Sequence, residues 1–453
     1  MNANSTASGE YAALLTERLK AEYSIPAGAY DDSVKRGLRN ADGSGVVAGV
    51  SKIGSVRGYY IEDGQRVPHE GKLFYRGFDV EDIVNAHRKA DTFGYEEVAY
   101  LLLCGALPTA EQQERFIHIL SAAKTLPEGF FENELMKRPS RNIMNALGRA
   151  VLSLYAYDDN PDDTSVANVL RQSIELIARM PTIVAHTYAM KRHYYDGASL
   201  YIHNPKSELT LAENFLRLAR RDKSYTDKEA KLLDQLMMLH AEHSGGNNST
   251  FTCRTVTSTG ADTYGAIASA ISSLKGPLHG GANEAVMAMI GNILDNVKDP
   301  KDDEEVGAYL DKILDGQAND RSGKIYGLGH AVYTVSDPRA AMLKELISEM
   351  AADRGYSDEY LIAERVERLG IPKLMARKNM SMPIPANVDL YSGIVYKMLG
   401  IPQDLYTPLF VVSRVSGWCA HRLEELMTSG RIMRPAYRSA ANRQRYIPMD
   451  QRK

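Results

Sequence analysis

Helical spacing of apolar residues restricts the fold of this chain more than any other feature of its sequence. From residue 78 onward, apolar side chains recur every three or four positions, as on one face of an amphipathic helix. Convincing strand signals are confined to residues 59–61 and 73–75, around the turn dipeptide Asp63-Gly64. The sequence therefore predicts a mainly all-α fold with a small N-terminal β region. Helices are expected near residues 11–23, 95–109, 112–123, 142–155, 165–180 and 209–220.

The length of the chain, 453 residues, exceeds the size at which one hydrophobic core usually stops growing. We therefore expect at least two domains or one unusually large helical domain. Hydrophobic residues make up 44%, charged residues make up 25%, and the formal net charge is -3. This balance is typical of a globular protein and gives no overall field that would attract nucleic acid. A site for an anion must therefore be local.

The N-terminal segment resembles neither a secretory signal nor a transit peptide, because it has no basic stretch followed by an apolar one and it contains acidic residues. No apolar run reaches the roughly 18 residues of a membrane span. The three cysteines, Cys104, Cys253 and Cys419, are widely spaced and odd in number, which favours core thiols in a reducing compartment over disulfides or a zinc site. We expect a cytoplasmic protein without membrane contact.

The segment GPLHGGANEAVM, residues 276–287, places His279 between a Gly-Pro breaker and a Gly-Gly helix start. The apolar stripe of the following helix consists of Ala285, Val286, Met289, Ile290 and Ile293. The positive end of such a helix disfavours an imidazolium and presents free backbone donors to a developing oxyanion. The pattern predicts a histidine that stays neutral beside negative charge on oxygen.

Later segments supply further groups of a complementary kind. Segment 327–339 combines His330 and Arg339 with turn residues, and Asp389 is the single carboxylate of a short apolar run. Arg414 falls within a helical apolar stripe, where a charge needs a buried partner or an anionic ligand. Together these residues indicate carbon-acid chemistry on an anionic substrate.

Two further histidines, His240 and His243, share one face of a helix predicted over 231–243. Taken alone, this spacing favours two core histidines with buried partners. It lacks the i, i+4 histidine pair of a zinc protease helix, and no cysteine or carboxylate cluster completes a metal site. A metal hydrolase that uses His240, Glu242 and His243 would be sensitive to chelators; we expect no metal and no such sensitivity.

Six motifs occur in one order along the chain: LHAEH, GPLHGGANEAV, GLGHAVYTVSDPR, ANVDLYSG, SRVSGWCAHRLE and RPAY. In this order and spacing the chain resembles the Si-type citrate synthases, from about GVVAGVSKI at 45–53 to RPAY at 434–437. A set of this length is far more specific than any single glycine or histidine pattern. The resemblance implies a two-domain helical fold. Its large domain would comprise residues 1–281 and 395–453, and its small domain, residues 282–394, would close over the active site.

The resemblance also implies an activity, that of an acyltransferase of the tricarboxylic acid cycle. It would condense acetyl-CoA with oxaloacetate and hydrolyse citryl-CoA to citrate and CoA. Asp389 would remove a proton from the acetyl methyl group, His279 would hydrogen-bond the thioester oxygen, and His330 would polarise the oxaloacetate ketone. The implied oxaloacetate-binding residues are His243, Arg339, Arg414 and Arg434. The backbone at Gly327 and Gly329 resembles the family's adenine-recognition loop for CoA. The nearby cations Lys275, Lys324, Arg377 and Lys378 are candidates for contacts to the CoA phosphates, although solvated surface side chains are the commoner interpretation of such residues.

Partners follow from the same resemblance. In family members the arginine at the position of Arg434 reaches across to the partner subunit, so a homodimer is implied. Acetyl-CoA is a substrate, and therefore no cofactor is expected. Thr334 departs from the family, because several relatives carry a cation at its position.

Two other functions remain open at the level of sequence. A 2-methylcitrate synthase uses the same machinery on propionyl-CoA, and room for one methyl group is worth only about 1 to 3 kcal/mol. A non-catalytic helical scaffold could retain the fold, but it is disfavoured because the base, the imidazoles and the arginines are all present.

Overall fold

The protein is described by a computed structural model that covers residues 3–355, 357–428 and 430–452. Most of the described chain is helical, as predicted. The α-helices are α1 Ala3–Glu22, α2 Val80–Ala90, α3 Tyr95–Cys104, α4 Ala110–Ala123, α5 Ile143–Ser153, α6 Val166–Asp196, α7 Leu211–Ala219, α8 Asp227–His240, α9 Asn248–Thr257, α10 Thr263–Leu274, α11 Ala282–Asn296, α12 Asp303–Leu314, α13 Pro338–Arg354, α14 Asp358–Arg365, α15 Ile371–Arg377, α16 Asp389–Met398 and α17 Tyr406–Thr428.

The β region is a three-stranded antiparallel sheet in the order β1-β2-β3. Its strands are β1 Gly54–Glu62, β2 Gln65–Tyr75 and β3 Phe78–Asp79. Asp63 and Gly64 connect β1 to β2, and both have positive φ, as the tightest hairpin turns require. The predicted mainly helical fold with a small N-terminal β region is thereby confirmed.

The chain divides into two compact units by its internal contacts. One unit consists of Met1–Ala48 with Arg434–Lys453, and the other of Gly49–Met433. Within the smaller unit, Arg438 forms an ion pair of 2.7 Å with Asp31. The domain of residues 282–394 proposed from the sequence lies wholly inside the larger unit, and its movement stays a prediction.

The core of the larger unit is built around α6 and α17. Residues 406–425 of α17 are all buried, and this helix packs against α3, α6, α8 and α9. A helix that is buried on every side lies at the centre of its fold. Helix α6 continues through Pro181 to Asp196, beyond the predicted segment 165–180, because residues 180–190 are completely buried and their packing outweighs the loss of one backbone hydrogen bond.

The cysteines divide between the core and the surface. Cys253 and Cys419 are buried thiols, as expected. The expectation of a core thiol is wrong for Cys104, because this residue ends α3 and is exposed. Within the described ranges, no helix is long and apolar enough to cross a membrane.

Candidate active site

The candidate catalytic side chains come from two connections between helices and from one helix start, all in the larger unit. His279 lies in the turn between α10 and α11, and His330 lies in the loop between α12 and α13. Asp389 is the first residue of α16. Segments that are far apart in the sequence therefore supply the three groups.

Arg414, on α17, is a positive charge that acts on His279, His243 and Asp389. Burial is the largest cause of the lowered pKa values of His279 and His243, and the positive charge of Arg414 lowers both further. The same charge lowers the pKa of Asp389, against the effect of burial. The His330 ring lies edge-on to the His243 ring, with centroids 5.2 Å apart. The structure thus places the predicted base, His279 and His243 within electrostatic reach of one guanidinium, and His330 lies next to His243.

His279 is held by a hydroxyl group that has an indole partner of its own. The Nε2 atom of His279 lies 3.1 Å from Ser249 Oγ, which accepts a hydrogen bond of 3.3 Å from Trp418 Nε1. The same Oγ lies 2.7 Å from Asn247 Oδ1. Burial, and secondarily the charge of Arg414, lowers the pKa of His279 to about 4. The ring is therefore neutral at pH 7.

His330 is fixed in one tautomer by its own loop. Its Nδ1 atom accepts hydrogen bonds from the backbone N–H groups of Val332 and Tyr333, each at 3.0 Å. A ring nitrogen that accepts hydrogen bonds carries no proton, so the ring proton lies on Nε2. The Tyr333 ring packs beside the imidazole, with centroids 4.5 Å apart. The opposite edge of His330 is thereby left as an N–H donor.

Asp389 is tied to the loop that carries His330. Gly329 donates its backbone N–H to Pro385 O at 2.7 Å, and Asn387 Nδ2 donates to Gly329 O at 3.0 Å. Asn387 Oδ1 in turn accepts the backbone N–H of Asp389 at 3.0 Å. Asn387 therefore connects the start of α16 to the loop that carries His330.

The Asp389 carboxyl is partly accessible to solvent, but protein surrounds it densely. Burial raises its pKa to about 6, against the charge of Arg339, which lowers it, while Asp337 raises it further. At pH 7 the group is mostly ionised. It is also more basic than an exposed aspartate, as a general base acting near neutral pH requires.

Two buried arginines flank this cluster. Arg339 is 4% exposed and grips the Asp337 carboxylate with two parallel hydrogen bonds, Nε to Oδ1 at 3.0 Å and Nη2 to Oδ2 at 2.7 Å. Arg414 is 2% exposed and donates from Nε to His240 O at 2.5 Å. Among the described residues, no carboxylate forms an ion pair with Arg414. An anionic ligand would compensate its buried charge.

Arg434 belongs to the other compact unit, where its side chain is exposed. The geometry of the larger unit therefore does not include this third predicted arginine. Its role stays a prediction, and the resemblance assigns that role to the site of a partner subunit.

Only the first histidine of the LHAEH motif lies in a helix, in contrast to the prediction that both share one helical face. Helix α8 ends at His240, so His243 lies beyond it and not on the same helical face. His240 stacks on Phe410 with centroids 4.0 Å apart, and both of its ring nitrogens are buried without a hydrogen-bond partner. Burial lowers the pKa values of both histidines well below the usual value. In the part of the chain that the structure describes, no cluster of metal-ligating side chains occurs.

The predicted CoA contacts fall into two groups. Gly327 and Gly329 have positive φ and lie against segment 385–390, next to the base. The cationic candidates Lys275, Lys324, Arg377 and Lys378 are exposed side chains. Arg377 already forms an ion pair with Asp315. The structure places the glycines beside the site, whereas it shows the cations only as surface groups.

Several supporting residues had no signal in the sequence. Tyr75 of β2 donates from its hydroxyl to Met238 O at 3.0 Å and accepts the backbone N–H of Glu242 at 3.3 Å, which holds the turn before His243. Ser249 and Trp418 are the partners behind His279. Tyr75 and Met238 are 163 positions apart and Ser249 and Trp418 are 169 positions apart, so no local pattern could reveal these two contacts.

Comparison with known proteins matches the family model "Citrate synthase, C-terminal domain" to residues 41–436. The citrate synthase of Acidithiobacillus ferridurans is 38% identical over 394 residues, covering 84% of this chain and 93% of that protein. The 2-methylcitrate synthase of Shewanella oneidensis is 34% identical and covers 80% of this chain and 87% of its own. The solved ternary complex of Thermoplasma acidophilum citrate synthase with carboxymethyl coenzyme A and oxaloacetate superposes with a TM-score of 0.75 at 28% identity, covering 93% of this chain and 100% of that one.

Proposed function

This chain belongs to the citrate synthase family, and we propose that it condenses acetyl-CoA with oxaloacetate and hydrolyses the citryl thioester to citrate and CoA. The observation that carries the proposal is the grouping of Asp389, His279 and His243 around the buried charge of Arg414, with His330 edge-on to His243. It combines a base, neutral hydrogen-bond donors and a site for anions.

The first step is removal of a proton from the acetyl methyl group by Asp389. A carboxylate whose pKa is raised to about 6 is ionised at pH 7 and still a better base than an exposed aspartate. Negative charge then develops on the thioester oxygen. A hydrogen bond from His279 stabilises that charge, and the lowered pKa of this histidine keeps it a neutral donor.

The direction of the hydroxyl proton of Ser249 decides which ring nitrogen of the neutral His279 carries its proton. Both His279 Nε2 and Asn247 Oδ1 lie within hydrogen-bond distance of that hydroxyl, and Trp418 already donates to it. When Ser249 donates to Nε2, the ring proton lies on Nδ1, which is then the donor to the thioester oxygen. Rotation of the Asn247 amide, which exchanges its oxygen and nitrogen, keeps Ser249 fully hydrogen-bonded in that state.

The second step is attack of the enol carbon on the oxaloacetate ketone. His330 polarises the ketone by donating from Nε2, the ring nitrogen that carries the proton because Nδ1 accepts two backbone hydrogen bonds. The charge that develops on the ketone oxygen is met by a preorganised donor. Water then hydrolyses the citryl thioester and releases CoA.

The dianionic substrate is oriented by arginines. Guanidinium groups hold carboxylates through paired hydrogen bonds, and Arg339 and Arg414 are both buried beside the base. Arg434 is proposed to reach the same substrate from a partner subunit, so the active enzyme is a homodimer. Closure of residues 282–394 would exclude water that hydrolyses acetyl-CoA prematurely.

A second candidate is a 2-methylcitrate synthase. It is favoured by relatives of that name, at 34% identity in Shewanella oneidensis and 31% in Corynebacterium glutamicum. The two activities share every residue assigned above, and they differ by room for one methyl group, worth about 1 to 3 kcal/mol.

The test is steady-state kinetics of the purified protein with oxaloacetate and either acetyl-CoA or propionyl-CoA. Release of the CoA thiol is followed, and the product acid is identified by mass. Citrate formation with the higher kcat/KM for acetyl-CoA is expected. A higher kcat/KM for propionyl-CoA would favour the second candidate. No CoA release from either thioester would overturn the proposed chemistry and would favour a non-catalytic helical scaffold.

A further inference from the structure

The β1–β2 hairpin contains a break in its ladder of hydrogen bonds. Arg57 faces Lys72 and Tyr59 faces Pro68, so Gly58 alone lies opposite residues 69–71. Such a bulge leaves backbone N–H and C=O groups of both strands without a strand partner. Buried backbone groups of this kind need another partner, because an unsatisfied one is costly.

The loop that follows His330 supplies those partners. Thr334, 3% exposed, donates its hydroxyl to Gly58 O and accepts the backbone N–H of His69 at 3.2 Å. Two residues later, Ser336 Oγ accepts the backbone N–H of Gly71 at 3.1 Å. Two hydroxyl groups of the loop therefore replace the missing strand pairing of the bulge.

The contact is too close for any side chain at the two hairpin glycines. A Cβ atom on Gly58 would lie 2.5 Å from Tyr333 Cα and 2.7 Å from Val332 O. A Cβ atom on Gly71 would lie 2.1 Å from Ser336 O. The backbone of the loop after His330 thus packs directly on the backbone of the hairpin at the bulge.

The residues that touch Gly58 are also those that hold the imidazole. Val332 and Tyr333 donate their backbone N–H groups to His330 Nδ1. Their position depends on what lies behind them, and Gly58 lies directly behind them. A shift of this dipeptide would release Nδ1 and allow the ring proton to move to it.

Resting on the proposed function for the role of His330, we propose that Thr334 is a positioning residue of the active site. By seating the loop in the bulge of the β1–β2 hairpin, it keeps Val332 and Tyr333 in place as donors to His330 Nδ1. The proton on Nε2 is thereby kept facing the ketone. The Thr334 side chain is directed to the hairpin.

The experiment compares Thr334→Val, which keeps the shape and removes the hydroxyl, with Thr334→Ser, which restores it. Thr182→Val is the matched control, because Thr182 is also buried and donates to a backbone carbonyl, Lys124 O at 3.3 Å, far along the chain. Two readouts follow the imidazole. One is the ¹⁵N spectrum of the ligand-free enzyme, assigned with His330→Gln, and the other is the infrared C=O stretch of bound, ¹³C-labelled oxaloacetate.

In the wild type and in Thr182→Val, a single Nε2–H tautomer and a lowered ketone frequency are expected. Thr334→Val is expected to show a mixture of tautomers, to lose part of the frequency shift, and to lose about tenfold to a hundredfold in kcat, the size expected for a small misplacement. The KM for acetyl-CoA should stay unchanged, and Thr334→Ser should recover all three properties.

A wild-type tautomer and a wild-type ketone frequency in Thr334→Val would overturn the inference, whatever the stability of that variant. Should Thr334→Val fail to fold, Ser336→Ala takes its place under the same two outcomes, because it removes only the acceptor of Gly71 N. The ¹⁵N result needs no substrate. A wild type that forms no citrate would therefore refute the proposed function without deciding the position of the ring proton.

Discussion

Replacing Asp389 with asparagine should make the protein more stable while it abolishes most of its activity. Burial raises the pKa of this carboxyl from 3.8 to about 6. Each pKa unit corresponds to about 1.4 kcal/mol, so the ionised carboxylate costs the folded state about 3 kcal/mol. An uncharged asparagine of the same shape avoids that cost. Loss of a general base should lower kcat by about 10² to 10⁴.

The sign of the effect depends on pH. Because the pKa of the folded state lies above that of the unfolded state, the cost of ionisation is fully present above about pH 6. As pH falls from about 6 towards 3.8, the folded carboxyl takes up its proton and the cost disappears. Asp389→Asn should therefore exceed the wild type in stability at pH 8, and the two should agree near pH 4.

Urea unfolding at pH 8, 6 and 4 measures this difference, at one protein concentration because assembly also changes the midpoint. Asp358→Asn is the matched control, since Asp358 is likewise the first residue of a helix but is exposed. It should lose only the small benefit of a negative charge at a helix start, about 0.3 to 1 kcal/mol. A midpoint of Asp389→Asn below that of the wild type at pH 8, or a difference independent of pH, would refute the reasoning.

Three further predictions concern the same site. In the wild type, kcat/KM should fall about tenfold per pH unit below about pH 6, because protonated Asp389 is no base; a level profile down to pH 5 would contradict this. Ser249→Ala should lower kcat about tenfold to a hundredfold through misplacement of His279, and unchanged turnover would count against the hydrogen bond between them. Arg434→Ala should raise the KM for oxaloacetate, and mixed dimers with a catalytically dead partner should regain activity only if Arg434 acts across the interface.

Much of the fold could be predicted because helical periodicity is a local property. The helices near 95–109, 112–123 and 142–155 follow it, and the turn at Asp63-Gly64 has its own chemical signature. Helix α6 extends past Pro181 because tertiary packing decides its length, and packing has no local pattern. Helix α8 ends at His240, before His243, although the helical spacing of residues continues beyond that point. The sequence pattern alone therefore predicts too long a helix.

The candidate site was predictable at the level of motifs and not at the level of contacts. His279, His330 and Asp389 lie in segments with turn residues. In the structure, each histidine ring has a hydrogen-bond partner, and burial raises the pKa of Asp389. The hydrogen bond behind His279 joins two remote residues, Ser249 and Trp418, and short motifs do not encode such a contact.

Hydrogen exchange at the acetyl methyl group tests the central claim, that this site performs carbon-acid chemistry with Asp389 as the base. The enzyme is incubated in D₂O with acetyl-CoA and a dicarboxylate that carries a hydroxyl in place of the ketone, so that the enol can form but cannot condense. Deuterium should enter the methyl group with the wild type and not with Asp389→Asn. Equal incorporation by the two proteins, or none with a wild type that still makes citrate, would contradict the account.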